Sequence, residues 1–240
     1  MRLPRCARKD ENPLFIDQAF LSYFCNPMKE FNKFIKSLNI SLRELPGFDA
    51  QIKMAPITRL SDLKKYPIGK SPRKSAVLIL LYPDKGEIKT VLMERAADNT
   101  VHSSQISFPG GKFENGDNNL QQTALREANE EIGIEPETVK ILGPLTKLYI
   151  PPSNFDVFPF VGYTNEKPVF KTNSEVKSIL EVDLKTLMNP NTLINKTIEH
   201  RTGGIFTVPC YFVQEHIIWG ATSMIISELL EVVSLSENNL

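Results

Sequence analysis

Apolar side chains at Phe31, Phe34, Ile35 and Leu38 recur at i, i+3, i+4 and i+7, which predicts a helix over 28–38 with one buried face. Pro46, Pro56, Pro67 and Pro72 then admit only short elements, because each lacks a donor and restricts its predecessor, so residues 40–73 read as an arm packed on a larger body. Two β-rich runs, 76–82 and 88–95, flank Pro83-Asp84-Lys85-Gly86, a sequence suited to a tight reversal, and predict an antiparallel hairpin. Further strands are expected over 139–146, 157–163, 197–201 and 205–214, and helices over 121–132, 175–179 with 184–188, and 221–233. The elements alternate without a regular strand-helix-strand rhythm. That favours an α/β (α+β) fold with a mixed sheet and helices on its faces over a doubly wound parallel sheet.

Composition narrows the function classes. The 240 residues carry 28 basic and 28 acidic side chains, so generic attraction to nucleic acid or an anionic membrane is not expected. The longest apolar runs fall far short of the roughly 18 to 20 residues of a spanning helix. Cys6, Cys25 and Cys210 show neither a disulfide framework nor metal-type spacing, and a cytoplasmic location fits best. Arg2, Arg5, Arg8 and Lys9 precede no apolar signal core; residues 1–27 are expected to be an extension with little structure ahead of a start at Met28.

Candidate chemistry concentrates between Glu114 and Glu137, where seven carboxylates face the single base Arg126. At about 100° per residue, Glu127, Glu130 and Glu131 share one arc of a helix, while Ala124, Leu125, Ala128 and Ile132 share another. The apolar arc would fix the helix on the sheet and hold three carboxylates close together, an arrangement that repels itself unless a cation enters. Hard Mg²⁺ or Mn²⁺ ions prefer such oxygens and commonly bridge them to phosphates, which points to a small-molecule phosphate-ester or diphosphate substrate. Arg126 lies four residues before Glu130 and can hold its carboxylate. Pro109-Gly110-Gly111 before the helix lets backbone approach a ligand, its carbonyls being candidate ligands, and Gly133 suits a left-handed helix end.

The segment Gly111 to Ile134 resembles the signature of the Nudix hydrolases, Gly-x5-Glu-x7-Arg-Glu-apolar-x-Glu-Glu-x-Gly-apolar, through Gly111, Arg126, Glu127, Ala128, Glu130, Glu131, Gly133 and Ile134. Asp117 replaces the first glutamate, and eight residues rather than seven separate it from Arg126. Both departures resemble the coenzyme A pyrophosphatase branch. So do His102, Gln105, Ser107 and Phe108 ahead of Pro109-Gly110-Gly111, although Thr100 and Ser104 replace that branch's arginine and glycine.

This resemblance implies a Nudix-type α/β/α sandwich with a mixed sheet and the catalytic loop-helix-loop; together with the helix and arm read above, it divides the chain into 28–73 and a hydrolase domain over 74–236. It implies a Mg²⁺- or Mn²⁺-dependent hydrolase for coenzyme A or its derivatives. Glu127 and Glu131 are then the principal metal ligands, with Glu130 sharing metal binding or activating water, Gly110 as a carbonyl ligand and Arg126 beside them. Glu175 is the expected base from a later loop, with Asp156 as the alternative. Arg95, His102, Gln105, Ser107, Phe108 and Lys112 are expected to meet the substrate. Beyond that substrate, a second copy of the chain in a homodimer is the one partner considered; neither nucleic acid nor a membrane is expected. ADP-ribose or another nucleoside diphosphate derivative is the competing substrate, and a nucleotide-binding module without catalysis the non-enzyme alternative.

Overall fold

The computed structural model describes residues 27–56, 71–96, 105–199 and 205–237. Its central strand is β1 (Arg73–Asp84), with β2 (Glu87–Arg95) folded back on it. The reversal places Lys85 and Gly86 at positive φ, 52° and 84°, the turn whose twist matches antiparallel strands. Leu81 pairs with Thr90 and Asp84 with Glu87 near the turn; further along the two strands part. Into the gap fit β3 (Ile106–Ser107), on Met93 and Glu94 of β2, and β4 (Gly110–Lys112), on Ser75 to Val77 of β1.

On its other edge β1 runs parallel to β7 (Phe155–Tyr163), which also pairs antiparallel with β5 (Lys140–Pro144) and β6 (Leu148–Ile150). Beyond β2 lies β8 (Val176–Asp183), completing a mixed sheet of 8 strands. A second sheet holds β9 (Leu193–Glu199), β10 (Ile205–Val213) and β11 (His216–Ile218).

Five helices accompany the sheets among the described residues: α1 (Pro27–Ser41), α2 (Phe48–Ile52), α3 (Leu120–Ile132), α4 (Leu184–Met188) and α5 (Ala221–Glu237). The β1 run Ala-Val-Leu-Ile-Leu-Leu-Tyr is apolar throughout because both faces are covered. Ala76, Leu78, Leu80 and Tyr82 meet Ala124, Ala128 and Ile132 of α3; Ile79 and Leu81 belong to the larger core with Met224, Ile225, Leu229 and Val232 of α5. The small Ala124 and Ala128 let α3 lie close to the sheet, and complete burial of Ile132 contributes about 2 kcal/mol. The result is the expected α/β/α sandwich.

The predicted stripe on α1 is buried, and Phe31 meets Tyr163 edge-on at 6.1 Å between ring centroids. The arm is tied down by a buried polar knot. Gln51 Nε2 donates to Glu228 Oε2 of α5 (2.8 Å) and to the Thr146 carbonyl (2.8 Å), while Thr146 N–H donates to Glu228 Oε1 (3.1 Å).

One expected helix is a strand. Residues 175–179 enter β8, whose ladder with β2 shifts register, so that Glu94 opposes Ser178 while Arg95 opposes Val176. Skipping Lys177 moves the apolar positions to Val176, Ile179 and Leu180, a spacing that imitates a helical stripe. The strand expected over 197–201 begins earlier, at Leu193, and β6 and β11 are too short to leave a period in the sequence. No helix among the described residues is long and apolar enough to cross a membrane.

Candidate active site

Helix α3 is held at both ends. Asn119 caps its start by accepting from Gln122 N–H (2.9 Å), and Gly133 ends it in the left-handed conformation (φ 72°) that a β-carbon resists. Between these ends, Arg126 is the hub of the side facing the preceding loop. Its Nε and Nη2 grip Asp117 as a fork (2.9 and 3.1 Å), and Nη2 also donates to the Lys112 carbonyl (3.0 Å). Its remaining contacts are with Glu127 (3.1 Å) and Glu130 (3.2 Å). Asp117 further accepts from Thr123 Oγ1 (2.8 Å) and Glu114 N–H (3.1 Å). The Arg126 bonds, with those of Glu114 and Thr123, hold the Asp117 carboxyl down at about 2. The expected Arg126–Glu130 contact is present, but the better-made bond goes to Asp117, a role the motif spacing did not reveal.

One turn further along, the environment changes. Glu131 is 2 % exposed, and its Oε2 accepts the Gly110 N–H (2.8 Å). Burial pushes its carboxyl up to about 7, against the opposing pull of that N–H and of Arg95. Burial likewise raises Glu127, against the pull of Arg126. Glu127 lies directly over Gly111, where an added β-carbon would sit 2.3 Å from its Oε1; only glycine leaves that carboxylate its place. Arg95 Nη1 reaches Glu131 (3.2 Å) and its Nη2 reaches Glu175 (3.6 Å), so the structure brings Glu175 to the same cluster through a residue expected to touch substrate. Glu130 is more exposed and turned to Arg126.

The other expected site residues divide. The Gly110 N–H faces Glu131, whose Oε2 accepts it. Gln105 is half-buried, and its carbonyl accepts the Arg95 N–H (3.1 Å). Ser107 presents a buried hydroxyl without a hydrogen-bond partner among the described residues, a group that a ligand could satisfy. Phe108 is 2 % exposed and packs in the larger core; its place is that of a packing residue rather than the substrate contact expected. Lys112 is exposed beside the cluster. Asp156 is paired with Lys147 (3.0 Å). His102 lies outside the described residues.

Among the described residues no three His, Cys, Asp or Glu side chains are already gathered closely enough to hold a metal ion. Arginines stand against the carboxylates instead. The donors nevertheless fit a hard divalent cation: half-buried Glu127 and buried Glu131 are oxygen donors whose proton affinity burial raises, and Gly111 leaves the Glu127 carboxylate room.

The site thus combines a carboxylate-bearing helix, a Gly-Gly strand and an arginine clamp on an α/β/α sandwich. Residues 72–200 match the family model described as NUDIX domain. The chain is 35 % identical over 167 residues to the uncharacterized Nudix hydrolase NudL of Yersinia pestis (strain Pestoides F), covering 68 % of this chain and 81 % of that one. It has the same identity and coverage with NudL of Yersinia pseudotuberculosis (serotype O:1b, strain IP 31758). Among solved structures, the chain is similar to the NUDIX domain of Shewanella oneidensis NrtR complexed with ADP ribose, at 18 % identity and TM-score 0.42, over 55 % of this chain and 87 % of that one. The protein belongs to the Nudix hydrolase family, whose members cleave diphosphate linkages and generally use divalent cations.

Proposed function

We propose that this enzyme hydrolyses the diphosphate of coenzyme A, its thioesters or its oxidised forms, giving 3′,5′-ADP and a 4′-phosphopantetheine product, with Mg²⁺ or Mn²⁺ and in the cytoplasm. The observation that carries the hydrolytic reading is the pair of carboxylates set against the two glycines, half-buried Glu127 over Gly111 and buried Glu131 on the Gly110 N–H. The choice of substrate rests on the sequence: Asp117 with its extra loop residue, and His102, Gln105 and Ser107 ahead of the glycines, resemble the coenzyme A branch.

Glu127 and Glu131 would hold the cation. The chemistry it supplies there is neutralisation of diphosphate charge and acidification of water. The protein's own part is orientation and proton handling. Arg126, anchored on Asp117, fixes the start of the motif and keeps Glu130 and Glu127 in place. Glu175, at the mouth of the cluster, takes the proton of the attacking water, with Glu130 assisting. Arg95, Lys112, Gln105, the Ser107 hydroxyl and His102 receive the substrate. Residues 74–236 form the hydrolase unit, and 28–73 an accessory helix and arm.

A panel of coenzyme A, acetyl-coenzyme A, ADP-ribose and dinucleoside polyphosphates with each metal tests the reading. Release of 3′,5′-ADP at the highest kcat/KM supports it. Turnover of ADP-ribose far above that of coenzyme A would replace it, and binding without turnover in saturating metal would make the chain a nucleotide-binding module.

A further inference from the structure

Arg95 closes β2, and the ladder around it fixes where it points. The register shift opposite, where Lys177 is skipped, sends that lysine's ammonium to Glu94 (2.8 Å) and sets the end of β8 against Arg95. The Arg95 N–H donates to the Gln105 carbonyl (3.1 Å), and the next N–H, of Ala96, donates to the Glu175 carbonyl (2.7 Å). Arg95 and Glu175 are thereby held side by side by backbone bonds. From this anchorage the guanidinium spans two carboxylates of different kinds, Glu131, whose side chain is 3 % exposed, and Glu175, whose side chain is 63 % exposed.

Comparison with Arg126 shows what sort of contact this is. Arg126 makes a fork on Asp117 through two nitrogens and adds a backbone carbonyl, a geometry that resists exchange. Arg95 reaches Glu131 through one nitrogen at 3.2 Å and Glu175 at 3.6 Å. A guanidinium so loosely held is a single positive charge standing where the carboxylates call for more.

We infer that Arg95 is a positioning residue that serves as a displaceable counter-ion: it steadies Glu131 and Glu175 before the cation enters and yields Glu131 when it does. The inference rests on the proposed reading of Glu131 as a metal ligand. It has two consequences of opposite sign. Without the guanidinium the metal-free carboxylates repel more strongly, so the metal-free fold is weakened; yet an entering cation has no competitor to displace, so it binds more tightly. An arginine that merely shaped the pocket would, on removal, weaken both.

The test is calorimetric titration of the chelator-treated full chain with Mn²⁺ alone, for wild type, Arg95→Met and Arg95→Lys, with Tm recorded with and without the ion. Arg95→Met is expected to bind Mn²⁺ about tenfold more tightly, a gain of about 1.4 kcal/mol, and to have a lower Tm than wild type only when metal-free. Arg95→Lys, which lacks the planar guanidinium, should bind about two- to fivefold more tightly; it carries the test if Arg95→Met does not fold. Equal or weaker Mn²⁺ affinity in the folded variants overturns the inference and leaves the metal site standing. Failure of the wild type to take up Mn²⁺ overturns both.

Discussion

The loop before α3, clamped by Arg126, and the last turn of α3 hold their carboxylates, Asp117 and Glu131, in opposite electrostatic states. Around Arg126 the charges are settled within the protein: Asp117 is gripped by a guanidinium fork, two further donors complete its shell, and its proton affinity is depressed. Around Glu131 the carboxylate lies deeper and has fewer donors, one N–H and one singly attached arginine, and burial outweighs them to raise its proton affinity. Burial and the supply of donors together distinguish the two, and the deeper, less supplied end is the one proposed to receive a cation.

Glu127→Gln, which keeps the shape and removes the charge, should lower turnover by orders of magnitude at saturating metal while Tm stays at or above that of wild type. Steady-state kinetics beside a melting curve read both, and near-normal turnover would erase the distinction. Gly111→Ala places a methyl on the Glu127 carboxylate. Because the obstructed atoms are the end of a side chain, the fold should survive, with metal affinity or kcat/KM falling about 10- to 100-fold. A wild-type Kd for Mn²⁺ would show that Glu127 does not need its glycine floor.

At the settled end, Asp117→Asn should cost about 2 kcal/mol in denaturant unfolding by removing the charged fork partner. The sign with pH follows from the depressed carboxyl: its stabilisation is complete above its unfolded value of about 4 and fades as pH falls through about 2. The cost should therefore shrink on acidification. At the other end the sign reverses. A carboxyl raised to about 7 favours the folded state below its unfolded value of about 4 and loses that advantage as pH rises through about 7. Metal-free Glu131→Gln should melt about 2–4 °C above wild type near pH 8, and level with it near pH 4. A lower Tm near pH 8 would mean that Glu131 is already satisfied.

The frame of this contrast, though not the pairings that make it, could be read from the chain. The 3.6-residue period of Ala124, Ala128 and Ile132 gave α3 its buried face, and the glutamate spacing gave the adjoining acidic one. The apolar run of β1 and the turn residues after it located the hairpin. What escaped depended on distant partners. The 175–179 stretch looked helical because a bulge in β8 disturbed the period-2 alternation, and only pairing with β2 reveals it. Arg95 and Phe108 carry no periodic signal of their destinations: the first is drawn to Glu131, the second into the core. Asp117 was noticed as a departure from the motif, but its bond to Arg126 emerges only once the intervening loop folds back.

The central claim is most directly tested by the paramagnetic resonance of Mn²⁺ added to chelator-treated protein. The account predicts that the free-ion signal is quenched stoichiometrically by wild type and persists with the Glu127→Gln/Glu131→Gln double variant. A double variant that still quenches it at wild-type affinity would contradict the account.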